Sequence, residues 1–403
     1  MSQRILIVGA GFAGMWSALA AARALDLAGR ADGSIEIALV APEPFLHVRP
    51  RFYEPVSAEM KAPLMPLFDA VGVRYVQGRV EAIRTGTSEV DVLADDGTRS
   101  TMAYDRLVLA AGSQLHRPQI AGLREHAFSV DQLDDAAILA AHMQSLASLP
   151  DSPARNTVVV AGGGFTGIET AAEMPARLRA ILGEAAAVRV VVVEQAAALG
   201  PDLGPGPRPV IEQALAALGV SWRLGAAVTA VDADGVGTAA GERIASRTVI
   251  WTAGPRASPL TQQIPGARCR DGRLHVDRYL RVPGAERVFA TGDAAYAATD
   301  DLGNHALMSC QHAMALGRNA GNNAAADLLG LPGLAYRQPK YVTCLDLGPW
   351  GAVYTEGWDR QVKMAGAEAK ALKRMINTQW IYPPPADRAQ ALAAADPAKP
   401  VVA

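Results

Sequence analysis

Two stretches of this chain repeat one spacing of glycines. Gly9, Gly11 and Gly14 fill a G-x-G-x-x-G pattern, and Gly162, Gly164 and Gly167 fill a second. The spacing suits capture of a pyrophosphate by main-chain N–H groups. The first glycine permits a sharp turn. The second removes the Cβ that would hold the backbone away from a phosphate, and the third lets the following helix pack closely. The ligand's charge then lies at a helix N-terminus, where free N–H groups and the dipole favour it. One such turn is also compatible with a plain glycine-rich strand-to-helix connection. Two in one chain point to two dinucleotides, most simply FAD and NAD.

Carboxylates near these turns have definable chemistry. Glu194 ends the apolar run Arg189–Glu194. An acid there accepts hydrogen bonds from ribose hydroxyls and repels a 2′-phosphate, so the second turn should prefer NADH to NADPH. The corresponding position after the first turn is Ala41, and Glu43 lies two residues late. Glu43 reads either as a ribose ligand on a bent loop or as a solvated loop charge. Glu169 completes Thr166-x-x-Glu169, which fits a capping box; it would equally place a carboxylate facing a nicotinamide. Asp293 in Thr291-Gly292-Asp293 can accept from a flavin ribityl hydroxyl while Gly292 lets the chain come close, or it can cap a helix. The loop Phe45–Glu54 mixes aromatics with His47, Arg49 and Arg51, as a loop covering a flavin would; solvated arginines are the plainer reading. Ala110-Ala111-Gly112 ends an apolar run in small residues, which lets a flat cofactor reach the backbone.

The elements that must position these residues read as α/β. Ile5–Val8 is a buried strand and Met15–Leu25 an Ala-rich helix. Thr157–Ala161 and a helix to about Leu182 repeat the unit. Two Rossmann-like domains follow, the second inserted in the first. Residues 1–117 and 255–325 form the FAD-binding domain and 118–254 the NAD(H)-binding domain. A small C-terminal α+β region covers 326–382. Within it Tyr341–Val353 reads as strands around a Gly348-Pro349 turn, and Gly366–Trp380, with Lys370, Lys373 and Arg374 as its basic residues, as an amphipathic helix. The Ala/Pro-rich segment 383–403 reads as a poorly ordered tail.

The ordered set Gly9/Gly11/Gly14, Ala110-Ala111-Gly112, Gly162–Glu169 and Thr291-Gly292-Asp293 resembles the two-dinucleotide flavoproteins, the pyridine nucleotide-disulfide oxidoreductase-like superfamily. Trp251-Thr252-Ala253-Gly254 and Gln311-His312-Ala313 look most like type II NADH:quinone oxidoreductases, over residues 4–325. The resemblance implies that Gly9, Gly11, Gly14, Val80, Gly112, Asp293 and Gln311 contact FAD. It implies that Gly164, Gly167, Glu169, Glu194 and Gly254 serve NADH. Hydride from NADH would reach FAD, and electrons would pass on to a quinone. The family's quinone pattern Ala-Gln-x-Ala-x-Gln reads here as Cys310-Gln311-His312-Ala313-Met314-Ala315. That departure keeps open another small-molecule acceptor or an electron-transfer protein, a soluble flavin reductase or monooxygenase, and a non-turnover redox sensor. His312 reads either as a polar contact that donates a proton to the reduced acceptor or as a structural histidine.

Composition narrows the setting. The chain has 403 residues and a net charge of −2, which argues against a nucleic-acid partner. Cys269, Cys310 and Cys344 show no C-x-x-C spacing and read as small buried hydrophobes in a reducing compartment. Cys310 and Cys344 are the one pair that would suit a sulfide:quinone reductase. No metal cluster and no G-x-S-x-G elbow is present. With no signal pattern and no long apolar stretch, the expected location is cytoplasmic; the 366–380 helix reads either as a peripheral contact with the inner face of the cell membrane or as a helix packed on the body or on a second subunit. A homodimer is compatible with this organisation.

Overall fold

The computed structural model describes residues 3–401. Strand β1 (Gln3–Val8) carries Ile5 and Ile7 to one face and Leu6 and Val8 to the other, all buried. A strand covered on both faces belongs in the middle of a parallel sheet. The chain turns at Gly9 into α1 (Phe12–Leu27), then forms β2 (Ile35–Ala41), β3 (Val73–Gln77) and β4 (Arg106–Leu109). All pair in parallel, with Ile5 opposite both Ile37 and Arg106. A short hinge strand, β5 (Ser113–Leu115), leads out of this sheet.

A second sheet follows. It uses β6 (Ala127–Phe128), then α2 (Leu133–Ser145), β7 (Thr157–Ala161), α3 (Phe165–Leu182), β8 (Arg189–Val193), β9 (Val220–Arg223) and β10 (Thr248–Trp251). Its order is β6-β10-β7-β8-β9, parallel throughout. The chain returns by β11 (Pro255–Ala257), which pairs antiparallel with β5. Then β12 (Arg281–Val282) and β13 (Ala285–Ala290) finish the first sheet in the order β12-β13-β4-β1-β2-β3. Val288 pairs with Leu107, so β4 and β13 are neighbours although the whole second sheet separates them in sequence. The expected insertion of one nucleotide-binding fold in another is the observed topology.

Helix α4 (Cys310–Leu328) lies along α1. Small residues make the contact. A Cβ on Gly317 would stand 2.5 Å from Ala13 O, and one on Gly321 would stand 2.0 Å from Ser17 O. The C-terminal region is an antiparallel sheet of β14 (Val342–Asp346), β15 (Ala352–Glu356) and β16 (Gln361–Gly366), covered by α5 (Ala367–Met375). Gly348 turns the chain between β14 and β15, as expected; the expected 366–380 helix is α5 from Ala367, followed by a π-helical turn, Ile376–Trp380.

The tail departs from expectation. Arg388–Ala394 forms α6, capped by the Asp387 side chain accepting from Gln390 N–H, and it sits against α1. Ala391, Leu392 and Ala395 are buried there. Arg388 pairs with Asp26 at 2.7 Å, Arg23 with Asp396 at 3.0 Å, and Arg318 donates to Lys399 O at 3.2 Å. Alanine-rich composition looked like disorder, yet small side chains are what lets this helix lie close on the Ala-rich α1. Val402 and Ala403 lie outside the described residues.

Candidate functional site

The two glycine turns divide their work in the same way. Gly9 has φ +108°, and a Cβ there would meet Ala110 O at 2.4 Å; a Cβ on Gly14 would meet Gly9 O at 1.8 Å. Gly162 has φ +115°, and a Cβ on Gly167 would meet Gly162 O at 1.9 Å. These four glycines are required by contacts within the chain. Gly11 and Gly164 differ: a Cβ at either would have nothing within 4 Å. Each turn therefore presents an open cradle at its second glycine, directly before a helix N-terminus, as a bound pyrophosphate demands. Gly112, at the end of the neighbouring strand, is open in the same sense.

Glu194 is buried at the end of β8 and bound from both sides. Its carboxylate accepts Gly163 N–H at 2.6 Å and Ala196 N–H at 2.7 Å. This couples the acid to the second turn itself. Replacing it with alanine removes a charged acceptor worth about 1.5–3 kcal/mol, roughly ten- to hundred-fold in affinity. Glu194→Ala is expected to weaken NADH binding by that factor and to narrow the NADH preference over NADPH, measured by titrating the flavin spectrum with each nucleotide.

Around the first turn, Gly292 (φ +60°) sits between the starts of α1 and α4; a Cβ there would meet Ala13 Cβ at 2.6 Å and Ala313 Cβ at 3.7 Å. Asp293 accepts from Ser113 Oγ at 2.6 Å, and Ser113 Oγ accepts in turn from Arg49 at 2.8 Å. Arg49 also pairs with Asp131. Thus Arg49, Gly112, Gly292 and Asp293 converge on one place. Gln311 joins from the start of α4, where it donates to Val342 O at 3.2 Å and accepts from Gln338 at 3.3 Å. Ala111 is half-buried beside Gly112. Val80 is buried in a cluster with Leu6, Val8 and Val92, so its side chain is core. Gly254 (φ +77°) accepts His116 N–H at 2.9 Å at the hinge. Glu43 stands apart on the surface, paired with Lys61 at 2.7 Å and His47 at 3.5 Å; those partners fit the solvated-charge reading.

A second convergence lies where α3 meets the C-terminal sheet. Glu169 is buried and its Oε1 accepts from Lys373 Nζ at 2.8 Å and from Asp346 N–H at 3.0 Å. Burial pushes its carboxyl up to about 7, against the pull of Lys373 and with the Asp346 charge adding to the rise. Lys373 Nζ also donates to Cys344 O at 3.0 Å. Lys370 pairs with Asp346 and stands 3.5 Å from Glu173. Tyr53 OH donates to Asp346 at 3.0 Å, and Asn377 donates to Glu54 at 3.0 Å. The capping-box reading of Glu169 does not hold, because its carboxylate is spent on Lys373 and Asp346. Lys370 and Lys373, which read as the basic face of an amphipathic helix, turn inward to carboxylates instead. Helical periodicity cannot say that a charged side chain is buried when its partner lies two hundred residues away.

His312 is corrected as an acid. It is fully buried and stacks on Tyr341 at 5.1 Å between ring centroids. Its Nδ1 accepts Leu307 N–H at 3.3 Å, and burial, with Arg273 and Arg360 nearby, pushes it down to about 3. A ring held neutral this firmly has no proton of the imidazolium to give. The thiols are equally unsuited to nucleophilic work: burial raises Cys310 to about 11 and Cys344 to about 12. Cys344 is buried, whereas Cys269 and Cys310 are half-buried.

Residues 3–317 match the family model described as pyridine nucleotide-disulphide oxidoreductase. The chain belongs to that family. Over 397 residues it is 47% identical to an NADH dehydrogenase-like protein of Mycobacterium tuberculosis, covering 98% of each chain. It is 29% identical over 382 residues to demethylphylloquinone reductase of Synechocystis, covering 93% of this chain and 91% of that one. In fold it resembles NDH2 of Plasmodium falciparum in complex with NADH, with TM-score 0.78 and 14% identity over 98% of both chains. FAD and NADH are the cofactors of this flavoprotein, and the two open cradles fit them. Lys373, Asp346, Tyr53, Ser113 and Asp131 were missed as site residues. Tyr53 left a trace as an aromatic in the loop Phe45–Glu54 after β2, and Lys373 as part of the expected amphipathic helix.

Proposed function

We propose that this chain is an FAD-dependent NADH:quinone oxidoreductase of the type II kind. The observation that carries the reading is the pair of equivalent cradles on two sheets joined by one hinge. Bound FAD would supply the chemistry, taking hydride from NADH and passing two electrons to the acceptor. The chain supplies position and protons. The cradle at Gly11 holds the FAD pyrophosphate and the cradle at Gly164 holds that of NADH, with Glu194 on the ribose. Reduction of a quinone by NADH takes up one proton from solution. Glu169 is assigned that proton, because its carboxyl exchanges near neutral pH and Lys373 holds its orientation.

No helix among the described residues is long and apolar enough to cross a membrane. Beside half-buried Lys370 and buried Lys373, α5 exposes Arg374 and Met375 (42%), and the π-helical turn that follows it, Ile376–Trp380, exposes Trp380 (54%). We assign this strip to peripheral contact with a bilayer holding the quinone. Cosedimentation with anionic vesicles that is lost in Trp380→Ala is the expected result; cosedimentation unchanged in that variant contradicts it. The function itself is tested by steady-state oxidation of NADH with a short-chain quinone. Oxidation of NADH only with other acceptors would sink it.

A further inference from the structure

We propose that Asp131 is a positioning residue for the NADH half of the reaction, latching the second nucleotide-binding unit onto the first through Arg49. The inference rests on the NADH:quinone reading above.

The two units are joined covalently at β5 and β11. Asp131 belongs to the second unit: it follows the edge strand β6 and stands two residues before α2. Arg49 belongs to the first unit, where it follows the buried Leu46 and Val48. Their side chains meet as an ion pair. The same guanidinium reaches Ser113 Oγ at 2.8 Å and lies 3.6 Å from Asp293 Oδ2. Ser113 Oγ donates a hydrogen bond to Asp293 Oδ2 at 2.6 Å. One cation thus lies between a carboxylate of the second unit and the carboxylate expected on the flavin ribityl chain, with the hinge serine between them.

Surface ion pairs are worth little, but this pair is built in. The Asp131 side chain is only 11% exposed. Its Oδ2 also accepts Leu115 N–H of the hinge strand at 3.0 Å and Gln132 Nε2 at 2.8 Å, and its own N–H donates to Ser129 Oγ at 3.0 Å. A carboxylate this constrained holds Arg49 in one place rather than sampling several. Hydride transfer needs its donor and acceptor carbons and nitrogens about 3–3.5 Å apart, and a misplacement of about 1 Å can cost roughly 10²-fold. The latch sets the placement of the unit that carries NADH over the unit that carries FAD. Reoxidation of the flavin by quinone does not depend on that placement.

The test uses holoenzyme of the wild type, Asp131→Asn and Asp131→Glu. Asparagine keeps an oxygen for Leu115 N–H, so the hinge can still form while the charge is lost. Three quantities are read: FAD bound per chain, the limiting rate of anaerobic flavin bleaching against NADH concentration, and reoxidation of dithionite-reduced flavin by a short-chain quinone. Asp131→Asn should lower the limiting bleaching rate by about tenfold or more, with FAD content, half-saturating NADH and reoxidation at wild-type levels. Asp131→Glu should recover part of the rate. Bleaching at the wild-type rate in Asp131→Asn overturns the latch. So does a parallel fall of bleaching, FAD content and reoxidation, which would mark a merely structural pair. If wild-type flavin is not bleached by NADH at all, the functional reading itself fails.

Discussion

Lys373→Met is expected to cut quinone-dependent turnover by about two orders of magnitude while the protein keeps its FAD. Lys373 is the cation that opposes the burial of Glu169, and removing it leaves a carboxyl with one backbone N–H for company. The carboxyl then stays protonated through the neutral range and no longer exchanges its proton on demand. Stability moves with it. Breaking a buried pair by deleting one partner costs about 3–5 kcal/mol when the remaining charge stays uncompensated. The sign follows from linkage: an acid whose native pKa is raised contributes stability that is full below its unfolded value and is lost as pH rises through the native one. Glu169 already sits at about 7 with its partner present. The variant should therefore melt distinctly lower at mildly alkaline than at mildly acidic pH. Adding Glu169→Gln should restore the melting temperature at alkaline pH, where the lone carboxyl would otherwise ionise, but not turnover. Thermal melts across pH, with parallel quinone assays, check this. A variant as active and as stable as wild type would show that the pair is incidental.

The second large effect separates the two cradles. Gly14→Ala and Gly167→Ala place equivalent methyl groups 1.8 Å and 1.9 Å from the carbonyl oxygen of the first glycine in each turn. Backbone must shift in both, at about 1–3 kcal/mol for an overpacked site. Gly14→Ala should purify largely colourless, because its cradle is the one assigned to FAD. Gly167→Ala should stay yellow and lose bleaching by NADH by roughly 10²-fold, while flavin reduced by dithionite is still reoxidised by quinone. Absorbance of the purified proteins and anaerobic mixing decide it. A colourless Gly167→Ala with a yellow Gly14→Ala would reverse the assignment of the two units.

Much of this was legible in the chain because the nucleotide units are written locally. A strand, three glycines and a helix occupy a dozen consecutive residues, and Glu194 follows at the end of the next strand. Steric demands at Gly9 and Gly14 involve neighbours a few residues away or on the adjoining strand, so residue type alone betrays them. What stayed hidden is what the insertion brings together. Asp131 lies in a polar connection with no pattern of its own, and its partner Arg49 is eighty-two residues away. Lys373 finds Glu169 across two hundred and four residues. In sequence both lysines of α5 looked like a solvent-facing basic strip, since nothing local distinguishes a lysine aimed at water from one aimed at a buried acid. The proton-donor reading of His312 failed, and its structural reading stood, for a related reason: its burial under Tyr341 comes from the C-terminal region, outside the motif that drew notice to it. The tail misled through composition, where alanine reads as featureless until a matching Ala-rich surface is present.

In the proposed function, one chain takes hydride from NADH on its second unit and delivers the electrons to a quinone through flavin on its first. The most direct measurement is anaerobic mixing of the yellow holoprotein with an equivalent of NADH, then with a short-chain quinone, with NADPH as the parallel donor. Rapid bleaching by NADH, slow bleaching by NADPH, and return of the colour on adding quinone are the expected results. Flavin that stays yellow with NADH, or that bleaches and is not reoxidised by quinone, would contradict it.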